Sequence, residues 1–233
     1  MSLPARFPQT PILCYVTDRK NLQFSSPGDS RGQLLKRIAG ATSAGIDWIQ
    51  VREKDLPGKE IASVVRDSLA AVREANRQSG KGTRILVNDR LDVALSEHAG
   101  GVHLGENSLP AGDVRRWIGE QLEQAASPDF RVGVSCHSLE SALVAWRDGA
   151  DYIFFGPIFA TPAKTAFGAP QGLAKLEEIC KSVSVPVLAI GGITVENAAS
   201  CVEAGAAGIA AIRLFQDTAD LPALVRQLRG VHG

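Results

Sequence analysis

The chain has no excess of charge of either sign. Lysine and arginine together number 25, as do aspartate and glutamate, so the formal net charge at pH 7 is zero. A protein without a net field does not attract nucleic acid or an acidic membrane surface as a whole. We therefore expect neither as a partner, and any anion must be bound by a local cluster of cations.

Cysteine is scarce and scattered. The four cysteines include no Cys-x-x-Cys pair and have no histidine at the spacing of zinc ligands. They are Cys14, Cys136, Cys180 and Cys201. This pattern favours buried free thiols in a reducing compartment over disulfides or structural zinc.

Long apolar runs are also missing. No stretch approaches the roughly 18 apolar residues of a membrane helix, and residues 1–8 lack the apolar core of a signal peptide. We therefore expect a cytoplasmic protein. Hydrophobic residues make up 45% and charged residues 21% of the chain, which is the composition of an ordinary globular domain.

What the chain does have is a repeated alternation of short apolar runs and amphipathic segments. Eight runs are predicted as strands, each followed by a helical pattern. They are Ile12–Thr17, Trp48–Arg52, Arg84–Asn88, Gly101–Leu104, Arg131–Ser135, Tyr152–Phe155, Val187–Ile190 and Gly208–Ile212. No two adjacent strands are joined by a hairpin signal such as Asn-Gly. Eight strand-helix units with right-handed crossovers predict an α/β protein, a closed (β/α)₈ TIM barrel.

An open, doubly wound sheet is the alternative architecture. Such a sheet usually carries Gly-x-Gly-x-x-Gly after its first strand, where this chain has Thr17-Asp18-Arg19. No linker or low-complexity tract divides the chain. We therefore predict a single domain over residues 1–233, with a core of about 12–230.

Polar and charged side chains follow the predicted strands at the ends that converge on the mouth of a barrel. Gln50, Arg52 and Lys54 alternate along the end of strand two, so they point to the same face. Two cations and an amide aimed into one mouth make a clamp for phosphate or pyrophosphate. The alternative is that Glu53 forms ion pairs with its neighbours.

Other strand ends carry further candidates. Asp89 after strand three can supply a hard oxygen to Mg²⁺, or it can cap the following helix. Thr161 and Lys164, in the loop after strand six, are candidates to contact an anionic substrate, with a solvated surface lysine as the alternative. His103 and His137 are either core histidines or substrate contacts.

A second anion site of another kind is predicted after strand seven. Gly191-Gly192 precedes a helix that Thr194 is expected to cap, so backbone N–H groups and the helix dipole would face the anion. A tight turn without a ligand is the alternative. Two anion sites across one mouth favour a transferase that joins two phosphorylated molecules over a hydrolase.

Six motifs in register along nearly the whole chain resemble one family, that of thiamine phosphate synthase and the related TenI-type thiazole tautomerase. They are Ile49–Lys54, Val87–Arg90, Gly101–Gly105, Gly133–His137, Gly156–Lys164 and Ala189–Ile193. For a synthase, the resemblance implies that hydroxymethylpyrimidine pyrophosphate and a thiazole phosphate carboxylate give thiamine phosphate and pyrophosphate. The reaction it implies passes through a pyrimidine cation, and Mg²⁺ assists the departing pyrophosphate.

The resemblance also implies roles for individual residues. Pyrophosphate would be bound by Arg52, Lys54, Asn88 and Lys164, and Mg²⁺ by Asp89. The pyrimidine would be surrounded by Gln50, His103 and Ser135, while Gly191-Gly192 would hold the thiazole phosphate.

Three positions depart from the family pattern. Ser108 stands where the synthases usually have a second aspartate for Mg²⁺, and Glu106 is the candidate to replace it. Ala163 replaces a threonine, and Arg213 replaces a serine and would add to phosphate binding.

These departures leave two other functions open. One is the metal-free tautomerase, in which His137 would be the acid/base. The other is a non-catalytic barrel that binds a thiamine precursor or a partner. The formation of a homo-oligomer is left open by the sequence.

Overall fold

The structure is a computed structural model, and it describes residues 10–22, 29–80, 82–105, 107–121, 129–160 and 169–230. Four positions singled out by the sequence lie outside these residues: Glu106, Thr161, Ala163 and Lys164.

Eight parallel strands form a closed barrel in chain order, with β1 paired to both β2 and β8. The strands are β1 (Ile12–Val16), β2 (Trp48–Val51), β3 (Arg84–Asn88), β4 (Gly101–Leu104), β5 (Arg131–Cys136), β6 (Tyr152–Phe155), β7 (Val187–Ile190) and β8 (Gly208–Ala211). The predicted (β/α)₈ barrel is confirmed. Four predicted strands differ from the observed ones by one residue at the mouth, where ladder hydrogen bonds end and boundaries are least defined.

Helices follow every strand. They are α1 (Ser30–Ala44), α2 (Gly58–Ser79), α3 (Leu91–Ser96), α4 (Ala111–Gln121), α5 (Leu139–Arg147), α6 (Gly172–Ser182), α7 (Val195–Glu203), α8 (Arg213–Gln216) and α9 (Leu221–Arg229). The sequence predicted neither α8 nor the short 3₁₀ turn Arg19–Asn21. Both are too short to show a helical period in the sequence.

The helix starts agree with simple capping chemistry. Ser138 precedes α5, and its hydroxyl accepts from the amide of Ser141 at 3.1 Å. Thr194 precedes α7, as predicted, and its amide donates to Asn197 Oδ1 at 2.8 Å. In both cases a side-chain oxygen accepts from a backbone amide, and amides are the groups that the start of a helix leaves unpaired.

Strand side chains alternate between two apolar layers. One layer packs between the sheet and the helices, and the other fills the barrel. The inner layer consists of Cys14, Val16, Leu86, Tyr152, Phe154, Leu188 and Ala210, with Ile12, Trp48, Ile190 and Ile212 at its edges. The barrel is therefore a packed core, and a ligand has access only to its mouth.

An ion pair lies at the opposite end of the barrel. Arg229 of α9 donates to the carboxylate of Asp47 at 2.8 Å and to the carbonyls of Gly45 and Pro11 at 2.9 and 3.0 Å. Asp47 in turn accepts from the amide of Leu13 at 2.7 Å. The last helix is thereby joined to the start of β1 and β2.

Among the helices that the structure describes, none combines the length and the apolar character needed to cross a bilayer.

Candidate active site

Three side chains at the ends of β2 and β3 form one hydrogen-bonded row. Gln50 is 2% exposed inside the barrel, and its Nε2 donates to Asn88 Oδ1 at 2.9 Å. Asn88 Nδ2 donates to Asp89 Oδ2 at 2.7 Å. Since an ionised carboxylate only accepts, Asp89 fixes the orientation of Asn88 and, through it, that of Gln50. The row connects the barrel interior to its rim.

Arg52 and Lys54 extend the same end of β2. Neither has a carboxylate partner among the residues that the structure describes. Their charges reach the row nevertheless, because Lys54 helps to lower the pKa of Asp89 and Arg52 helps to lower that of His103. The two cations are therefore available to an anion at the mouth.

Glu53, between these cations, is 5% exposed and turns the other way. Its carboxylate accepts from the Thr17 hydroxyl at 2.6 Å, and from the amide and guanidinium of Arg19, each at 3.1 Å. Thr17 Oγ1 also accepts from the amide of Arg52 at 2.9 Å. The ion pair that Glu53 forms is therefore with Arg19 and not with its neighbours in sequence, and it ties the β2 loop to the β1 loop.

Asp89 lies exposed at the rim with a left-handed backbone, φ 59°. Its Oδ1 accepts from the amide of Gly105 at 2.9 Å and from the hydroxyl of Ser108. Burial raises the pKa of Asp89, but the hydrogen bonds from Ser108, Gly105 and Asn88 outweigh this effect and hold the pKa below its usual value. Asp89 is thus ionised at neutral pH. It does not cap α3, whose preceding residue is Arg90.

The mouth offers a magnesium ion little protein ligation. Within the described residues there is no group of three or more His, Cys, Asp or Glu side chains that could hold a metal. Both carboxylate oxygens of Asp89 already accept hydrogen bonds, one of them from Ser108 at the position of the missing aspartate. Mg²⁺ is nevertheless often held by one or two carboxylates together with substrate phosphates and water. Asp89 fits that role only when a phosphate supplies further oxygens.

His103 occupies the barrel interior, 2% exposed, with its ring centroid 4.1 Å from that of Phe154. Its Nε2 lies 2.9 Å from Ser135 Oγ and its Nδ1 lies 3.1 Å from the hydroxyl of Tyr152. Burial lowers the pKa of His103 to about 3, while the charge of Asp89 opposes this and that of Arg52 adds to it. His103 is therefore a neutral core histidine, bonded to side chains and not to backbone.

His137 lies at the end of β5, next to β6. Its Nδ1 contacts the carbonyl oxygen of Gly156, which requires Nδ1 to carry a proton. The residue borders a cavity of about 140 Å³ on the helix side of the sheet, together with Gln171 and Lys175. His103 and His137 thus occupy different environments, although both follow the same kind of strand end.

The glycine pair after β7 has two structural roles. Gly191 and Gly192 have φ values of 96° and 67°, which favour glycine. The chain after β6 also passes close by, so a Cβ on Gly192 would lie 2.7 Å from the carbonyl oxygen of Ala160. Among the described residues, no acceptor pairs with the amides of Gly192 and Ile193 at the approach to α7. The backbone conformation and the close packing therefore explain why both positions are glycine. The unpaired amides agree with an anion site.

Arg213 begins α8 beyond the end of β8. Its side chain is 76% exposed, and Nε lies 3.3 Å from Asp217 Oδ2. Unlike Arg52 and Lys54, it has a carboxylate partner. Its role in phosphate binding remains a prediction.

Sequence reasoning missed two parts of the site. It did not anticipate that Tyr152 lies beneath His103, or that Thr17 and Arg19 hold Glu53. The alternation of Tyr152 with Phe154 on one face of β6 was a usable signal for the first. For the second there was none, since the contacts join residues more than 30 positions apart.

Comparisons with known proteins agree with this geometry. The family model described as thiamine monophosphate synthase matches residues 14–215. The thiamine-phosphate synthase of Methanoculleus marisnigri is 43% identical over 195 residues, covering 84% of this chain and 85% of its own. That of Roseiflexus castenholzii is 40% identical over 226 residues, covering 97% and 90%.

A solved structure shows the same relationship. The thiamine phosphate pyrophosphorylase of Pyrococcus furiosus superposes with a TM-score of 0.73 at 31% identity, covering 95% of each chain. The chain described here belongs to the thiamine monophosphate synthase family.

Proposed function

We propose that the chain is a thiamine-phosphate synthase, a transferase that joins hydroxymethylpyrimidine pyrophosphate to a thiazole phosphate carboxylate and releases pyrophosphate and carbon dioxide. The observation that carries the proposal is the pair Arg52 and Lys54 at the end of β2, whose charges act on Asp89 and His103 and which have no carboxylate partner among the described residues. The names of the relatives support it.

The leaving group is the chemical problem at this site. When the bond between the pyrimidine methylene and the pyrophosphate breaks, negative charge accumulates on the pyrophosphate oxygens. Thr17 and Glu53 hold the backbone of the segment that carries Arg52 and Lys54. Cations held near developing negative charge contribute strongly to catalysis. The family resemblance adds Lys164 and Thr161, which lie outside the described residues.

A magnesium ion would be held by Asp89 together with pyrophosphate oxygens, and it would supply charge neutralisation to the leaving group. Asn88 would keep Asp89 oriented through its 2.7 Å hydrogen bond and would offer its remaining amide proton to the pyrophosphate. Glu106 remains the proposed second ligand.

The two organic substrates would be held by different parts of the mouth. Ser135 is partly exposed, with Gln50 and His103 buried beneath the mouth, and the three would surround the pyrimidine. The amides of Gly192 and Ile193, at the approach to α7, would bind the phosphate of the thiazole. The thiazole nitrogen would attack the pyrimidine methylene as the pyrophosphate leaves, and the carboxylate would be lost as carbon dioxide, its bonding electrons staying on the thiazole, which takes up a proton.

The decisive experiment is an assay of purified protein with Mg²⁺ and both substrates. We expect thiamine phosphate and pyrophosphate to form in equal amounts. Protein that is folded by circular dichroism yet gives no product would exclude the synthase.

The tautomerase is the second candidate, and Ser108 is the observation that favours it. A hydroxyl there donates to Asp89 and replaces a carboxylate that would bind metal. His137 would then transfer the proton on the thiazole phosphate carboxylate without metal. If it does, isomerisation will proceed in the presence of EDTA and will be lost in His137→Ala; the synthase requires neither result.

We also propose a cytoplasmic location, which is supported by four cysteines that form no disulfide. The proposed partners are the small phosphorylated substrates.

A further inference from the structure

Three side chains connect the floor of the barrel to its mouth. The Tyr152 hydroxyl lies 3.1 Å from His103 Nδ1, and His103 Nε2 lies 2.9 Å from Ser135 Oγ. Tyr152 and His103 are buried, whereas Ser135 is partly exposed. The hydrogen-bonded series Tyr152–His103–Ser135 therefore has one end in the core and one end where a substrate would bind.

The direction of these hydrogen bonds follows from the buried end. Tyr152 is a protonated phenol, and its hydroxyl has His103 as its hydrogen-bond partner among the described residues. A buried hydroxyl that only accepts leaves its own proton unsatisfied, which costs about 1–3 kcal/mol. Tyr152 therefore donates to Nδ1. A neutral imidazole that accepts at Nδ1 carries its proton on Nε2, so His103 donates to Ser135.

The position of Tyr152 is itself fixed by packing. Its ring centroid lies 4.8 Å from that of Trp48 and 5.4 Å from that of Phe154. On the neighbouring strand, a Cβ on Gly133 would lie 2.0 Å from Tyr152 Cζ. The glycine leaves space that the tyrosine ring fills, so the hydroxyl has no room to turn away from His103.

We propose that Tyr152 is a positioning residue that holds His103 as the Nε2–H tautomer and thereby makes Ser135 a hydrogen-bond donor to the substrate. Ser135 Oγ is already an acceptor for His103, so its own proton can be donated to a substrate at the mouth. The identity of the substrate that Ser135 contacts rests on the proposed function. The tautomer of His103 does not.

The series Tyr152–His103–Ser135 predicts a preference for substrates that accept a hydrogen bond from Ser135. A substrate that presents a lone pair to Ser135, such as a ring nitrogen, is accepted, and one that presents an N–H or C–H group there is not. Sites that leave a polar group unpaired discriminate more strongly than sites that only lose a contact.

The tautomer is tested on the protein without any substrate. Nitrogen-15 NMR distinguishes the protonated from the bare nitrogen of an imidazole, and the His103 signals are assigned by their loss in His103→Gln. We expect a proton on Nε2 and none on Nδ1 at neutral pH. A proton on Nδ1 would overturn the proposal whether or not the chain is a synthase.

The effect on the substrate is tested with two matched variants. The chain has two tyrosines, both buried and each with one hydroxyl bond: Tyr152 to His103, and Tyr15 to Gln216 at 3.1 Å on the other side of the sheet. We expect Tyr152→Phe to lower kcat/KM for hydroxymethylpyrimidine pyrophosphate about tenfold, as for one buried hydrogen bond. Tyr15→Phe should change it by less than about threefold.

A double-mutant cycle separates positioning from general damage to the core. If Tyr152 acts through Ser135, Tyr152→Phe will change kcat/KM by less than about twofold once Ser135→Ala is present. Independent, multiplicative effects of the two changes would refute the link. If the wild type makes no product while His103 carries its proton on Nε2, the synthase is excluded and the tautomer is not.

Discussion

The two sides of the barrel mouth present different chemical groups, side chains on one side and backbone amides on the other. On the β2–β4 side, Gln50, Asn88 and Asp89 form a hydrogen-bonded row, with Arg52 and Lys54 beside it. On the β7 side, the mouth is lined by backbone, at two glycines with left-handed φ values next to the start of α7. One side can be altered with little effect on the fold, and the other cannot.

The difference follows from how each group is held. A side chain of the first side can be shortened without moving the backbone. An amide of the second side is present in every residue, and it can be moved only by disturbing the conformation that directs it. We therefore expect mutations on the β2–β4 side to separate activity from stability, and mutations on the β7 side to change both.

The largest expected effect is that of Arg52→Ala. Removing a cation that stabilises the leaving pyrophosphate should lower kcat about 10²–10³-fold, the usual effect of losing one such group. The melting temperature should change little, because Arg52 forms no ion pair within the described residues. Steady-state kinetics and thermal unfolding provide the two measurements.

The control is Lys59→Ala, which removes a cation from the exposed first turn of α2. It should leave kcat unchanged. A similar loss of activity in both variants would show that overall charge, and not the clamp, is responsible.

The second prediction concerns the backbone side. Gly192→Ala places a side chain in a left-handed conformation and also against the Ala160 carbonyl. We expect a loss of about 3 kcal/mol in the free energy of unfolding, together with weaker binding of the thiazole phosphate. Urea unfolding and isothermal titration calorimetry are the measurements.

Gly80 is a matched control, since its φ is also 67° but a Cβ there would meet nothing within 4 Å. Gly80→Ala should cost only about 1 kcal/mol, the cost of the conformation alone. Equal losses in the two variants would mean that the approach of the loop after β6 contributes nothing.

The smallest expected effect is that of Ser108→Asp, which strengthens the β2–β4 side. A second carboxylate next to Asp89 should lower the Mg²⁺ concentration for half-maximal activity roughly tenfold. In the absence of metal the two like charges should lower stability. Activity that does not respond to Mg²⁺ in either protein would argue against Asp89 as a metal ligand.

The sequence predicted most of the fold because a parallel barrel repeats one simple pattern. Buried strands such as Val187–Ile190 are short apolar runs, and α1 and α7 begin at capping residues. The candidate residues at the mouth were proposed because they follow strand ends. Alternation along β2 separates Glu53 from Arg52 and Lys54, but the partner that buries Glu53 was not predictable, because Arg19 lies 34 positions away in the sequence.

The role of Asp89 illustrates the same limit. An aspartate before a helix is typical of a cap, but here it accepts from Gly105 and Ser108 on the next strand-helix loop. The hydrogen-bond partner of Asp89 depends on which loops lie next to each other, and that arrangement is set by the folded barrel.

The seam between β1 and β8 has a consequence for synthesis on the ribosome. One edge of β1 is paired with β8, and Arg229 of the last helix bonds Asp47 at the start of β2, next to the other edge of β1. A nascent chain therefore carries an unpaired edge on β1 until β8 has emerged. Unpaired edges invite pairing with other chains, so the growing polypeptide is exposed to aggregation until β8 closes the barrel.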